Sequence, residues 1–150
     1  MANTQAVCTS FKTELLTGVH ALGTTVTRGS TAADTFKAAL YLATATVNAS
    51  TTAYSATNEV SGTGYTAGGV TFSWIAPTSS GTTAYTTPSA SFARTTVTLS
   101  TAFDCVLLYN STQSNKAVSA HTFGSQTVTA GNFTITMPTN DSSTGLLRLA

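Results

Sequence analysis

The first periodic stretch of the chain has the spacing of a helix. Cys8, Phe11, Leu15, Val19 and Leu22 are separated by three, four, four and three positions, one stripe on a helix that turns every ~3.6 residues. Lys12, Thr13, Glu14, Thr17 and His20 fall mainly away from it. Thr4 is suited to cap the start, and Gly18 or Gly23 to end the helix with positive-φ backbone. The spacing predicts a helix from about residue 4 to about residue 18. Residues 1–23 therefore read as an N-terminal arm or helix, with His20 ending an exposed turn.

Beyond Gly23 the period changes to two. Phe36, Ala38, Leu40 and Leu42 share one face of an extended segment, and Lys37, Ala39 and Tyr41 share the other. Further strands are expected at Gly69–Ile75, Phe92–Leu99, Ala102–Tyr109, Ala117–Phe123, Gln126–Thr129, Asn132–Met137 and Gly145–Leu149. Asn132–Met137 alternates most cleanly, with Phe133, Ile135 and Met137 inward. Ala102–Tyr109 is apolar on both faces apart from Asp104, the pattern of a central strand covered on two sides. Val47–Gly69 has few large apolar groups and reads as a long loop, or a pair of short strands and a loop, of the kind that is functional or pinned by a partner. Ala76–Pro88, with Pro77, Gly81 and Pro88, reads as a second connection. The expected fold is mainly β: a single β-barrel or β-sandwich (jelly-roll-like) domain over residues 1–150, with one N-terminal α-helix.

Composition sharpens this picture. The chain has 34 Thr, 17 Ser and 22 Ala in 150 residues. Thr disfavours helix through its branched β-carbon, fits a pleated sheet, and keeps the exposed face wet. Charged residues are only 7% of the chain and the formal net charge is +1, against a typical ~25% charged in soluble domains. A nucleic-acid groove or an anionic-membrane binder needs clustered Lys and Arg, so neither partner is expected. The uncharged stretches Ala38–Asn58 and Val60–Ala93 are broken by too many Thr, Ser, Asn and Gly to span a bilayer. Met1–Gln5 lacks the start of a secretory signal, so cytoplasmic synthesis is expected. In that compartment Cys8 and Cys105 read as buried free thiols in preference to a disulfide.

Candidate chemistry is sparse. The titratable inventory is Glu14, Asp34, Glu59, Asp104 and Asp141 with His20 and His121, widely scattered. Asp104 and His121 with a serine are the only members of a conceivable triad, but each has a plainer reading as a strand residue that packs or hydrogen-bonds. No phosphate loop, nucleophile elbow or metal-spaced His pair occurs. Ser61–Gly69 is glycine-rich, yet no Lys follows and Val70–Phe72 reads as a strand, where a phosphate cradle must open a helix. Tyr41, Tyr54, Tyr65, Trp74, Tyr85 and Tyr109 would serve as a sugar-stacking platform only if exposed, and core packing is the plainer role. No catalytic, cofactor-binding or metal-ligating residue is therefore assigned, and no enzyme is expected.

A freely diffusing small protein keeps a mixed, charged surface. A neutral exterior of hydroxyls and methyls instead suits permanent neighbours, because covering it strips no water from ions. The residues Asn3–Leu16, Thr35–Tyr41, Glu59–Gly69, Leu108–Ser111, Asn115–Val118 and Phe133–Pro138, taken in order, resemble a family of small Thr-rich virion structural proteins of tailed bacteriophages. The resemblance implies a virion part with no catalytic residue. Its leading form is a head decoration, or cement, protein on the capsid exterior. Such a subunit would be a homo-oligomer, with a trimer favoured, bound to the major capsid protein through an arm at Met1–Thr4 or the loop Val47–Gly69. The alternative is a tail or neck component, facing host glycans through its aromatic residues.

Overall fold

The computed structural model describes residues 2–16, 18–23 and 32–149. Its elements are β1 (Ala6–Val7), α1 (Thr9–Leu16), β2 (Phe36–Leu42), β3 (Val70–Phe72), β4 (Thr78–Ser80), β5 (Thr83–Thr86), β6 (Phe92–Asn110), β7 (Lys116–Ile135) and β8 (Leu147–Leu149). The protein is mainly β, in two antiparallel sheets: five strands ordered β1-β7-β6-β2-β3, and three ordered β4-β5-β8. The larger sheet stays open, so the closed-barrel form of the expected fold is not adopted.

The N-terminal segment departs from the predicted helix over 4–18. Residues 6–7 pair with β7 (Ala6 opposite Ala120, Val7 opposite Ser119), and α1 begins only at Thr9. Thr4 caps nothing; its amide donates to the Val47 carbonyl at 2.9 Å. The helix stops at Gly18 as expected. With φ at 71°, Gly18 donates to the Leu15 carbonyl, and Val19 donates to that of Glu14, the paired bonds of a Schellman ending. Val19 and Leu22 therefore lie past the helix.

One ribbon dominates the body. Each of the two runs read as separate strands, Phe92–Leu99 and Ala102–Tyr109, belongs to β6, and the three runs from Ala117 to Met137 merge into β7, which ends at Ile135. The register of this pair slips at five places. Such bulges bend a strand and raise its twist. The bend is visible in two rings of β7: Phe123 and Phe133 would stand ~33 Å apart on a straight strand, yet their centroids are 5.6 Å apart. Phe103 completes this cluster at 5.9 and 5.0 Å. Polar residues between the apolar runs (Ser100, Thr101, Gly124, Ser125) are exposed within continuous strands, so a change of polarity marks a bulge here and not a strand end. The central position expected for Ala102–Tyr109 holds: β6 lies between β2 and β7, and Cys105 to Asn110 are all buried.

Ala76–Pro88 is more than a connection. It contains the hairpin β4–β5, turning at Gly81 with φ 58°, and β5 pairs with β8. All three residues of β4 are exposed, so no apolar alternation announced it. The core continues along the larger sheet through Phe36, Phe72, Trp74 and Phe92, whose ring contacts run from 5.2 to 6.0 Å.

Candidate functional site

The long loop after β2 is fastened to its own sheet. Val60 donates to the Leu40 carbonyl, Tyr54 to that of Asn115 and Thr98 to that of Thr63, all at 2.9–3.0 Å. A carboxylate organises its centre. Glu59 Oε2 accepts the Tyr54 hydroxyl at 2.6 Å, while Oε1 accepts the Tyr65 hydroxyl at 2.7 Å and the Gly68 amide at 2.8 Å. The Tyr109 hydroxyl donates to the Gly68 carbonyl at 2.7 Å, and its ring stacks on Tyr54 at 4.6 Å. Burial, then the bond to Glu59, pushes the Tyr54 and Tyr65 hydroxyls above the usual phenol range. Burial pushes Tyr41 up to about 12 despite its bond to the Ser55 carbonyl. These phenols are committed donors.

The glycine-rich string is explained by packing. At Gly69, with φ 75°, an added Cβ would lie 1.8 Å from the Ala38 carbonyl oxygen. Only glycine lets the loop cross β2 at that distance. The string holds no anion cradle; it is where two backbones touch.

A second polar chain ties the N-terminal segment to the β6–β7 turn. Glu14, on α1, accepts from Lys116 and lies 2.7 Å from His20 Nε2. His20 Nδ1 is 3.0 Å from Asn110 Nδ2, which also donates to Asp34 at 2.7 Å. Asp34 further accepts from the Ala21 amide and Gln113. Burial works to raise the Glu14 carboxyl, but its bonds to Lys116 and His20 outweigh this and hold it below its ordinary value. His20 is thus buried, correcting the exposed turn expected from sequence. Its ring packs 4.8 Å from Phe11 on the far side of the helix ending.

Of the triad candidates, His121 meets a serine while Asp104 is bonded elsewhere. Asp104 accepts from Asn3 at 2.5 Å, and His121 Nε2 lies 2.9 Å from the fully buried Ser119 hydroxyl. Burial depresses His121 to about 4. Cys8 and Cys105 are free and buried. Burial raises their thiols to about 11 and about 12, with the Glu14 and Asp104 charges adding to it, so neither is a ready nucleophile. Tyr41, Trp74 and Tyr109 are at most 3% exposed and Tyr54 and Tyr65 are bound to Glu59, while Tyr85, half-buried on β5, lines an apolar groove. Among the described residues no group of His, Cys, Asp or Glu is placed to hold a metal, and no helix is long and apolar enough to cross a membrane.

A groove of about 230 Å³ lies between the N-terminal segment and the small sheet. Val7, Phe11, Leu15 and Leu22 line one side, Ala84, Leu147 and Leu149 the other. Leu149 is 66% exposed, on the outer strand β8. The chain matches no family model, no curated protein and no solved structure.

Proposed function

We propose that this protein is a structural subunit of a tailed-bacteriophage virion, specifically a head decoration protein. In this reading a sandwich-like β unit sits on the capsid exterior as a trimer and ties major capsid subunits together. The reading rests above all on where the charge goes. All five carboxylates of the chain accept hydrogen bonds from its own residues: Glu14 from Lys116, Asp34 from Asn110, Glu59 from Tyr54, Asp104 from Asn3, and Asp141 from Ser143 and Thr144. Arg94 lies over the Tyr65 ring at 5.9 Å, and Arg148 donates to the Ser143 carbonyl. Most of this scarce set of ions is bonded within the chain, Asp141 and Arg148 doing so at the surface, and the exposed positions among the described residues are mostly Thr, Ser and Ala. A neighbour can cover such a surface without the several kcal/mol that desolvating each ion costs.

The expected arms need revision. Asn3 is held by Leu42, Asp104 and Val47, and Thr4 by Val47; the loop Val47–Gly69 is bound to the sheet. Contacts with neighbours then fall to the outer strands β1, β3, β4 and β8, whose free backbone edges carry few of the charges that normally guard against pairing. Many such contacts around a shell add up by avidity.

A particle reconstruction tests the placement. Density for this fold across the outer shell is expected; its confinement to the tail or neck overturns the decoration role. Particles stripped of the protein should burst at lower temperature or milder osmotic shock, and equal robustness would remove the stabilising role. A monomer that stays solitary at high concentration and binds no particle would overturn assembly altogether.

A further inference from the structure

We propose that His20 is a proton-operated coupler between the N-terminal segment and the β6–β7 turn. Asn110 carries the argument. It is 0% exposed and ends β6. Its Oδ1 accepts the Thr112 and Gln113 amides, both at 3.1 Å. Its Nδ2 is 2.7 Å from Asp34 Oδ2 and 3.0 Å from His20 Nδ1. Two acceptor lone pairs and two amide hydrogens are all that an Asn side chain offers, and here all four are used. Rotating the amide by half a turn would break both turn bonds and point its oxygen at the Asp34 carboxylate. Asn110 therefore presents a donor to His20.

That fixes the ring. Nδ1 accepts from Asn110, and Nε2 carries the hydrogen that it donates to Glu14 at 2.7 Å. The tautomer follows from the bonding pattern. Adding a proton at Nδ1 sets two donors against each other in a site where the His20 side chain has no exposure. The bond to Asn110 is lost, and the imidazolium is left to Glu14.

Among the described residues, these groups face His20 or its partners. Glu14 comes from α1, Asp34 from the segment before β2, Asn110 from β6 and Lys116 from β7; the Phe11 ring covers one face, and the Cys8 thiol lies near Glu14. Glu14 and Asp34 attract the added proton and Lys116 opposes it. Protonation thus strengthens the link to α1 while it cuts the link to the turn. Because Phe11, Leu15 and Leu22 form one wall of the apolar groove, the coupler sets how firmly that wall is held to the sheet.

Imidazole nitrogen NMR and amide exchange on the full chain test this. At pH 8 the His20 signals should report the Nε2–H tautomer. As His20 takes up its proton, the protection factors of the Thr112 and Gln113 amides, each referred to the intrinsic exchange rate at that pH, should fall by roughly tenfold, the equivalent of one hydrogen bond. His20→Gln should abolish that pH response, while His121→Gln should leave it intact. An Nδ1–H tautomer at pH 8, or unchanged Thr112 and Gln113 protection through the His20 titration, overturns the coupler. Should His20→Gln fail to fold, the wild-type tautomer and exchange data still decide. All readouts use the isolated chain, so failure here is distinct from failure of the virion reading.

Discussion

Two polar clusters fasten the irregular parts of this molecule to its sheet, and they are built on opposite chemistry. Around Glu59 one carboxylate gathers two phenols and an amide, donors that hold their protons well into alkaline solution. Around His20 the partners are two carboxylates, a lysine and a carboxamide, and the central ring changes its bonding when it gains a proton. The first cluster is a fixed anchor, and the second is the coupler proposed above. Position in the chain explains part of the difference. Glu59, Tyr54 and Tyr65 lie within a dozen residues of one another, whereas His20 and Asn110 are 90 apart.

The contrast can be broken most severely at Gly69. Gly69→Ala puts a methyl 1.8 Å from the Ala38 carbonyl oxygen and asks Ala to hold φ at 75°. We expect a loss of about 3 kcal/mol or more, read by denaturant unfolding, with the loop around Glu59 becoming protease-sensitive. Glu59→Ala should follow, at about 2–4 kcal/mol, because it leaves two phenols and an amide without their acceptor; Glu59→Gln, which keeps one acceptor, should lose less.

Titration probes the Glu59 cluster without mutation. The phenols around Glu59 have raised pKa values in the folded chain, so their contribution is complete below the free-tyrosine value near ~10 and is lost as pH climbs through the folded values, about 12 for Tyr41. Phenolate absorbance should thus lag behind that of free tyrosine and rise together with unfolding. At the acid end the signs reverse. His121 is depressed to about 4, so its contribution is present above ~6.5 and drains as pH falls toward 4. Glu14, held below its ordinary value, adds a further loss under more acid conditions. Stability measured by thermal melts should therefore plateau between these limits; an acid-insensitive melt would refute the assignment for His121. The smallest effect belongs to Arg94→Ala, which removes the cation over Tyr65 at 5.9 Å and should cost under ~1 kcal/mol.

Local pattern carried the regular parts of the fold. The alternation of Phe133, Ile135 and Met137 matches their burial, and Phe36–Leu42 forms β2 with the residues expected. Where apolar periodicity is absent, as in Thr78–Ser80, pairing comes from the backbone alone and leaves no mark on the sequence. Bulges hid the continuity of β6 and β7, because a register slip and a strand end both show as a polar interruption. The polar clusters were less legible still. Asn3 and Asp104 meet across 101 positions, and Asn110 and Asp34 across 76, so no spacing rule links them. A signal did exist in Asn110: a carboxamide closing the apolar run Cys105–Tyr109 is costly unless all its groups are bonded, which asks for partners. For His20 the continuing helical stripe misled, since Gly18 ends the helix and turns the following residues onto the sheet.

The β4–β5 turn has a practical bearing on the placement experiment. At Gly81 nothing lies within 4 Å of where a side chain would begin, and its φ of 58° suits a tight reversal. A cysteine added beside it, at Thr82, would project into solvent, whereas both native thiols are buried. Gold or a fluorophore coupled there would light up this subunit in an intact particle without disturbing either cluster.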